Sequence, residues 1–534
     1  MIRVSNIQIK GRRPLKMSLK DSIGLFNPTS EKNTPEEALL CLQQTQEQVR
    51  HFIVDAARSG MSFDEAERNV WEMVKKVGFV AMELLLRLQG NGDLGKQINA
   101  VNDKVLKRSP TPVVTTVRSI FGHHHFEEFA YSSGNKRKVE LYPISARLQL
   151  PEHQWSYLLQ EFSQLFCVDQ AFNQSARNLE TIWGSKFSVD TLEQTSQRMG
   201  KHADQFLDRL PVPKKEEEAA ILVASADCKG VPLVKIDTEK VAAFEKTKKN
   251  PGNRRMATVT TVYSVDRFER SPEEIVAALF RDDREDADNK PKRPKPKFKN
   301  TTAHFPTVYL DQDEEIQISG IHEGIAWLTE QVLLRRQTDQ PLVLLMDGQE
   351  SLWDVAAMHL SSEAFVPVLD IIHVSTYVWN ASALLYHERN DREEFTRDRL
   401  LRILNGEVKA VIRGMRRMGG VHELRGEKLN ELEKICNYFE NNKSRMEYDQ
   451  YLKAGYPIAS GVIEGACGHL VKDRMERSGM RWKLESARSM LNVRAAFQSD
   501  YWPLFQQTRI KEQTEIVHPN RTLTEGYAPL TLAC

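Results

Sequence analysis

Three apolar runs in this chain each end in an aspartate, and that recurrence limits the fold more than any other feature. Residues 219–226 run into Asp227, residues 341–346 into Asp347, and residues 365–369 into Asp370. Short, unbroken apolar runs of this kind read as strands buried on both faces of a sheet. Helical patterns lie between them, with residues 324–336 leading into the second run, so an α/β sheet with its polar chemistry at the strand ends is expected. Two more strands are predicted, at 231–236 after Cys228-Lys229-Gly230 and at 256–265. The stretch 281–300, acidic first and then rich in Lys and Pro, reads as a solvated loop or linker.

At 534 residues the chain exceeds what one core usually organises, so two or more domains are expected. Hydrophobic residues at 40% and charged residues at 28% exclude a disordered or membrane-spanning chain. The start, Met1 to Lys20, is basic and polar without an apolar core segment, which gives no sign of a signal peptide. An intracellular location follows as an expectation. Six cysteines stand singly with no Cys-x-x-Cys pair, which argues against a zinc ribbon or a disulfide framework. A net charge of +1 says little about partners, because Lys and Arg can gather on one face of a neutral protein.

Before the first aspartate the pattern is mainly helical. Thr34-Pro35-Glu36-Glu37 opens one helix and a Ser62-x-x-Glu65 capping box a second, whose apolar positions from Val70 to Leu88 recur at three- and four-residue spacing. Short strands are predicted at 113–120 and 138–144 around a turn at Ser132-Ser133-Gly134. His123, His124 and His125 are consecutive, so on a strand they face alternate sides and converge poorly on one ion. Helices at 172–182 and 189–207, joined through Gly184 and capped by Ser188, read either as a helix-turn-helix for the major groove or as an ordinary packed pair. Residues 211–218 look like a linker. Beyond Asp370 comes a long polar helical stretch carrying Arg397, Arg399, Arg402, Lys409, Arg413, Arg416 and Arg417, a cluster that meets phosphates or forms a solvated face.

The chemistry is expected at three acids. Phosphodiester cleavage without a covalent intermediate needs an activated water or hydroxyl and a stabilised leaving oxygen, and two divalent cations held by hard oxygen ligands serve both ends. Asp227 and Asp347 at strand ends, with Glu464 in the first turn of a helix, form such a set. Each taken singly reads more readily as a cap or turn residue than as a ligand.

The segments Ser225-Ala226-Asp227-Cys228-Lys229-Gly230, Leu345-Met346-Asp347-Gly348, Val368-Leu369-Asp370-Ile371-Ile372-His373, and Gly461-Val462-Ile463-Glu464-Gly465-Ala466-Cys467, continuing through Lys472-Asp473-Arg474-Met475 to Gly479-Met480-Arg481-Trp482, resemble the ISKra-type insertion-sequence DDE transposases in content and order. The resemblance spans roughly residues 120–482. It implies an α/β fold with a ribonuclease-H-like mixed sheet, flanking helices and a helical insertion, preceded by a mainly helical DNA-binding region.

Under that resemblance, residues 1–110 form an N-terminal helical region and a candidate oligomerisation surface, and 111–210 a small strand region plus the helix-turn-helix-like part. Residues 219–370 form the first part of the catalytic core, 371–455 the insertion, 456–505 the final core helices with the glutamate, and 506–534 a C-terminal tail. It implies Asp227, Asp347 and Glu464 as catalytic ligands of two Mg2+ or Mn2+ ions, and Asp370 and His373 as a supporting Asp-x-x-His element.

Lys472, Arg474, Arg477, Arg481 and Trp482 are the expected DNA contacts. The implied partners are double-stranded DNA and a second copy of the chain, with no membrane, in a prokaryotic, nucleoid-associated cytoplasmic setting. A nuclease or resolvase of the same fold without strand transfer, and a transposase-derived DNA-binding protein that no longer cuts, are the rival readings. Two departures stand out: Cys228 replaces the glycine that often follows the first aspartate, and paired N-terminal cysteines are missing, so that module is expected to fold without metal.

Overall fold

The computed structural model describes residues 34–532, apart from 101–103, 135–137, 245–251, 283–291, 312–313 and 478. The chain divides into two compact units, one made of residues 1–163, 176–187 and 508–534, the other of 164–175 and 188–507. No helix among the described residues is long and apolar enough to cross a membrane.

The first unit opens with a helical hairpin, Pro35–Ser59 and Phe63–Leu88. Thr34 caps the first helix in a reciprocal box with Glu37, and Gly60 closes it in the left-handed region at φ 65°, which a glycine adopts without a Cβ clash. Ser62 caps the second helix through the Glu65 amide, half of the box that the sequence suggests. Two strands, Val113–Ser119 and Gly122–Glu128, pair antiparallel next to a three-stranded sheet of Gln97–Asn99, Val105–Arg108 and Tyr131–Ser132. The strand expected at 138–144 is not formed. Pro143 instead starts the helix Pro143–Arg147, because buried Glu128 accepts from the Ile144 and Ser145 amides at 2.9 and 3.0 Å and so fixes a helix start there. The last segment is pinned into this unit by the Tyr527 hydroxyl, which donates to the Gln89 carbonyl at 2.6 Å, and by His518 against the Leu150 carbonyl at 2.7 Å.

The second unit is built on a mixed five-stranded sheet: β1 Ile221–Pro232, β2 Arg254–Val265, β3 Lys297–His304, β4 Leu342–Met346 and β5 Val366–Leu369. Its order is β5-β4-β1-β2-β3. Strands β1, β2 and β3 are antiparallel neighbours, whereas β4 runs parallel to both β1 and β5. The apolar runs seen in the sequence are the buried parallel strands, and Ile221, Val223, Val343, Leu345, Val368 and Leu369 share one core with the insertion helices.

Two expected features differ. Residues 221–232 form one unbroken strand rather than two, since full antiparallel pairing with β2 carries it through Cys228-Lys229-Gly230, and Lys235–Phe244 is helical. In the stretch expected as loop, residues 297–300 belong to β3, which pairs with β2 on one side only and leaves Lys297 and Lys299 exposed; residues 283–291 lie outside the described residues. The supposed linker ends in Glu218, whose carboxylate holds buried Arg335 at 2.8 Å.

The stretch 371–455, expected as an insertion, holds the α-helices Ile371–Leu385, Arg389–Leu404, Val408–Val421, Glu427–Asn442 and Tyr448–Lys453. Its last helix covers the sheet edge: the Tyr448 and Tyr451 hydroxyls donate to the Leu369 and Pro367 carbonyls of β5, each at 2.8 Å, which satisfies edge carbonyls that would otherwise lack partners. Of the basic cluster, Arg397, Arg399, Arg402 and Arg416 pair with carboxylates at Asp282, Asp398, Glu407 and Glu433, so much of that charge is neutralised locally.

Candidate metal centre

The sheet register decides how the acids meet. Leu344 pairs with Ala224 and Met346 with Leu369. Continued by one to three residues, that register matches Asp227, in the middle of β1, with Asp347 and Asp370, the residues that follow the ends of the adjacent parallel strands β4 and β5. Neighbouring strands lie about 4.8 Å apart, and side chains at matched positions share a face, so the three carboxylates form a row.

Each is held differently. Asp370 is fully buried and caps the helix Ile371–Leu385 by accepting from the Ile372 and His373 amides; it also accepts from the Ser460 amide at 2.9 Å and meets His373 Nδ1 at 2.8 Å. Burial alone raises its pKa, but these bonds outweigh burial and hold the carboxyl below the usual range. Asp347 accepts from the Gln349 amide at 2.9 Å, and its own carbonyl accepts from the Trp353 indole at 2.6 Å. Burial, together with the negative charges of Asp227 and Asp370, pushes its pKa up against the pull of the Gln349 amide and the His373 charge. Asp227 receives the Cys228 amide at 2.6 Å and the Cys467 thiol at 3.2 Å.

Glu464 lies in the short helix Gly461–Ala466, which widens at once into a π-helical turn, Cys467–Lys472. Such widened turns are rare and concentrate at functional sites. Ligand atoms of Asp370, His373 and Glu464 lie within 4.8 Å of one another. That group differs from the expected one: among the described residues, Asp227, Asp347 and Glu464 do not meet the same spacing, and Glu464 sits closest to the Asp-x-x-His pair. His373 links the two sets electrostatically. Its bond to Asp370 raises its pKa to about 9, with Asp347 and Asp227 adding to the effect and burial opposing it. The imidazolium is therefore the local counter-charge of the acidic row.

Two thiols missed by the sequence reading flank Asp227. Burial drives the Cys228 thiol up to about 11 and the Cys467 thiol well above its ordinary range, with the negative charge of Asp227 adding to both. They are protonated donors and packing groups, not thiolate ligands. The Gly465-Ala466-Cys467 run carried this signal only through its nearness to Glu464.

Two expected DNA contacts are corrected. Arg474 is 0% exposed: it donates to the Cys167 carbonyl at 2.8 Å and lies over the rings of Phe172 and Trp482 at 5.1 and 4.6 Å. Trp482 is 5% exposed and donates to the Met475 carbonyl. Both are core residues, since a cation–π sandwich leaves no face for a phosphate. Arg477 is exposed but bonded to the Asp473 and Asp169 carbonyls; Lys472 and Arg481 are exposed.

The helix Val189–Asp208, expected as the second of a helix-turn-helix, packs along Leu484–Gln498 so closely that a Cβ on Gly200 would fall 2.5 Å from Ser489 Cα. Its polar residues Gln197, Glu193 and Asp204 bond that same helix. His124, of the histidine run, is buried against Glu83 at 2.7 Å, while His125 meets Thr116 at 3.0 Å on the opposite strand face.

No protein-family model matches the chain, and no curated protein matches it either.

Proposed function

We propose that this chain is a DNA transposase of the insertion-sequence type, built on a ribonuclease-H-like core, that cleaves element ends and joins the freed 3′-hydroxyl to target DNA. The observation that carries the reading is the row of three aspartates across β1, β4 and β5, with Glu464 brought to its end beside His373. Support also comes from the resemblance of the four acidic segments, from the mixed sheet, and from a helical insertion ahead of the glutamate.

The residues present suit a pair of hard divalent cations. The charges of Asp227 and Asp370 add to burial in raising the Asp347 pKa, and every candidate ligand in the row is an oxygen. As the chain stands, Asp370, His373 and Glu464 are the set whose ligand atoms converge and would hold Mg2+ or Mn2+; Asp227 and Asp347 would share the ions with Glu464 if it closes toward them, and the ions would supply activation of a water or 3′-hydroxyl and stabilisation of the leaving oxygen. Asp370 holds His373 and the Ser460 backbone in place, so it orients the chain that leads to Glu464. Lys472 and Arg481, both exposed, would meet backbone phosphates. A dimer is proposed through the helical hairpin, which exposes Phe63 at 82% and Leu40 at 54%.

The test incubates the purified protein and the DNA flanking its own gene with magnesium or manganese and maps new 3′ ends. A precleaved end offered with target DNA then reads joining. Cleavage without joining supports a nuclease, and binding without either supports a regulator.

A further inference from the structure

Away from the acidic row, the second unit holds a cavity of about 410 Å³, lined among others by Tyr263, Phe268, Pro294, Val462, Arg270 and Arg293. Its size falls in the range of small-ligand sites. The cavity is built rather than incidental. Gly455, at φ 72°, brings two loops so close that a Cβ there would lie 2.7 Å from the Phe268 nitrogen, and the Phe268 amide donates to the Gly455 carbonyl at 3.0 Å. That contact sets the Arg270 guanidinium, which donates to the Tyr456 carbonyl at 2.7 Å and the Phe268 carbonyl at 3.3 Å.

Carbonyls orient Arg270 without neutralising it. Burial and the positive charge of neighbouring Arg293 press its pKa down to about 10, with Glu274 opposing. Two guanidiniums at one cavity favour an anion with several oxygens. Asp266, the carboxylate in the lining, is paired with Lys297 at 3.3 Å. The other walls are aromatic, proline and valine surface, suited to the face of a planar ring. Gly461 and Val462, which also line the cavity, open the helix that carries Glu464 two residues later.

We propose that this cavity binds one unstacked nucleotide of the DNA strand, its phosphate on Arg270 and Arg293 and its base against the Tyr263, Phe268, Pro294 and Val462 walls. The proposal rests on the nucleic-acid reading above and deepens it: a nucleotide seated here anchors the strand next to the glutamate's helix. Extruding a base costs least in single strands, where no pairing is lost.

The probe is 2-aminopurine, as the free 5′-monophosphate and as one residue within single-stranded and duplex oligonucleotides, titrated into the full chain in EDTA so that no metal chemistry intervenes. Saturable fluorescence change at one site per chain is expected. Arg270→Gln is expected to weaken it at least tenfold and Arg270→Lys less. Gly461→Phe is expected to block it; at that position a new Cβ meets nothing within 4 Å, and an unchanged thermal unfolding midpoint checks that the fold is kept. Absence of binding, inorganic phosphate competing as tightly as the nucleotide, or a nucleoside binding as tightly as its phosphate each overturns the proposal. A chain that binds the probe but never cleaves DNA with metal overturns the transposase reading and leaves this site standing, whereas cleavage without probe binding does the reverse.

Discussion

Two histidine–carboxylate pairs, one in each unit, show how the same chemistry serves different ends. In the first unit His124 and Glu83 are both fully buried, 2.7 Å apart; the far ring nitrogen meets the Ser119 hydroxyl at 2.8 Å, and the ring stacks on Phe79. Both ring nitrogens and both carboxylate oxygens have a partner, the second Glu83 oxygen taking the Arg87 guanidinium at 3.5 Å. In the second unit His373 and Asp370 are 2.8 Å apart, but the histidine side chain is 40% exposed and faces Asp347, Asp227 and Glu464. A sealed pair with complete partners stabilises the fold. An open pair within surplus negative charge is arranged for a ligand.

Four measurements distinguish the sealed pair from the open one. The largest effect is expected from Asp347→Asn, which should lower metal-dependent cleavage at least 10³-fold, about 4 kcal/mol in barrier, while thermal stability holds or rises by roughly 1 kcal/mol as carboxylate crowding is relieved. Full cleavage by that variant would remove Asp347 from the site.

Glu83→Ala should cost about 3 kcal/mol in denaturant unfolding of the first unit, because it strips a buried ring of its partner. A loss under 1 kcal/mol would show that the sealed pair contributes little.

A third histidine extends the contrast to pH. Burial, with the Arg488 charge, presses the His304 pKa down to about 4. The unfolded chain therefore takes up a proton that the folded chain refuses. The stability from keeping this ring neutral is present above about pH 6.5 and is lost as pH falls towards 4, on the order of 2 kcal/mol. His304→Asn should flatten unfolding free energy against pH across that window, and an unchanged slope would rule the residue out.

The smallest effect is expected from His373→Ala. It should cost about 1 kcal/mol of stability, since solvent screens the half-exposed pair, and should slow cleavage roughly tenfold. A stability loss equal to that of Glu83→Ala would erase the distinction between the pairs.

Much of the second unit was legible in sequence because strands buried on both faces announce themselves as continuous apolar runs, and the residue ending each run is easy to name. Register was not legible: nothing before folding says that 224 pairs with 344 and 346 with 369, so the row of three aspartates, rather than two plus a glutamate, came only with the sheet. Basic residues were the least readable. Arg474 and Lys472 stand two apart in one polar segment, yet one lies between Trp482 and Phe172, the latter far away in sequence, and the other points to solvent. Local pattern carries no information about such partners. The Lys235–Phe244 helix was misread for a similar reason, as apolar Val231 to Ile236 suits a strand until pairing with β2 runs out at Pro232.

The first unit is assembled from stretches that a ribosome makes far apart in time. Tyr527 and His518 close contacts with Gln89 and Leu150 only after the whole second unit has been synthesised. At translation speeds of about 5–20 residues per second, the helical hairpin waits roughly half a minute for its closing segment. For that interval the Gln89 and Leu150 carbonyls face water instead of Tyr527 and His518, so the first unit completes its hydrogen bonding last, after the unit it encloses in sequence.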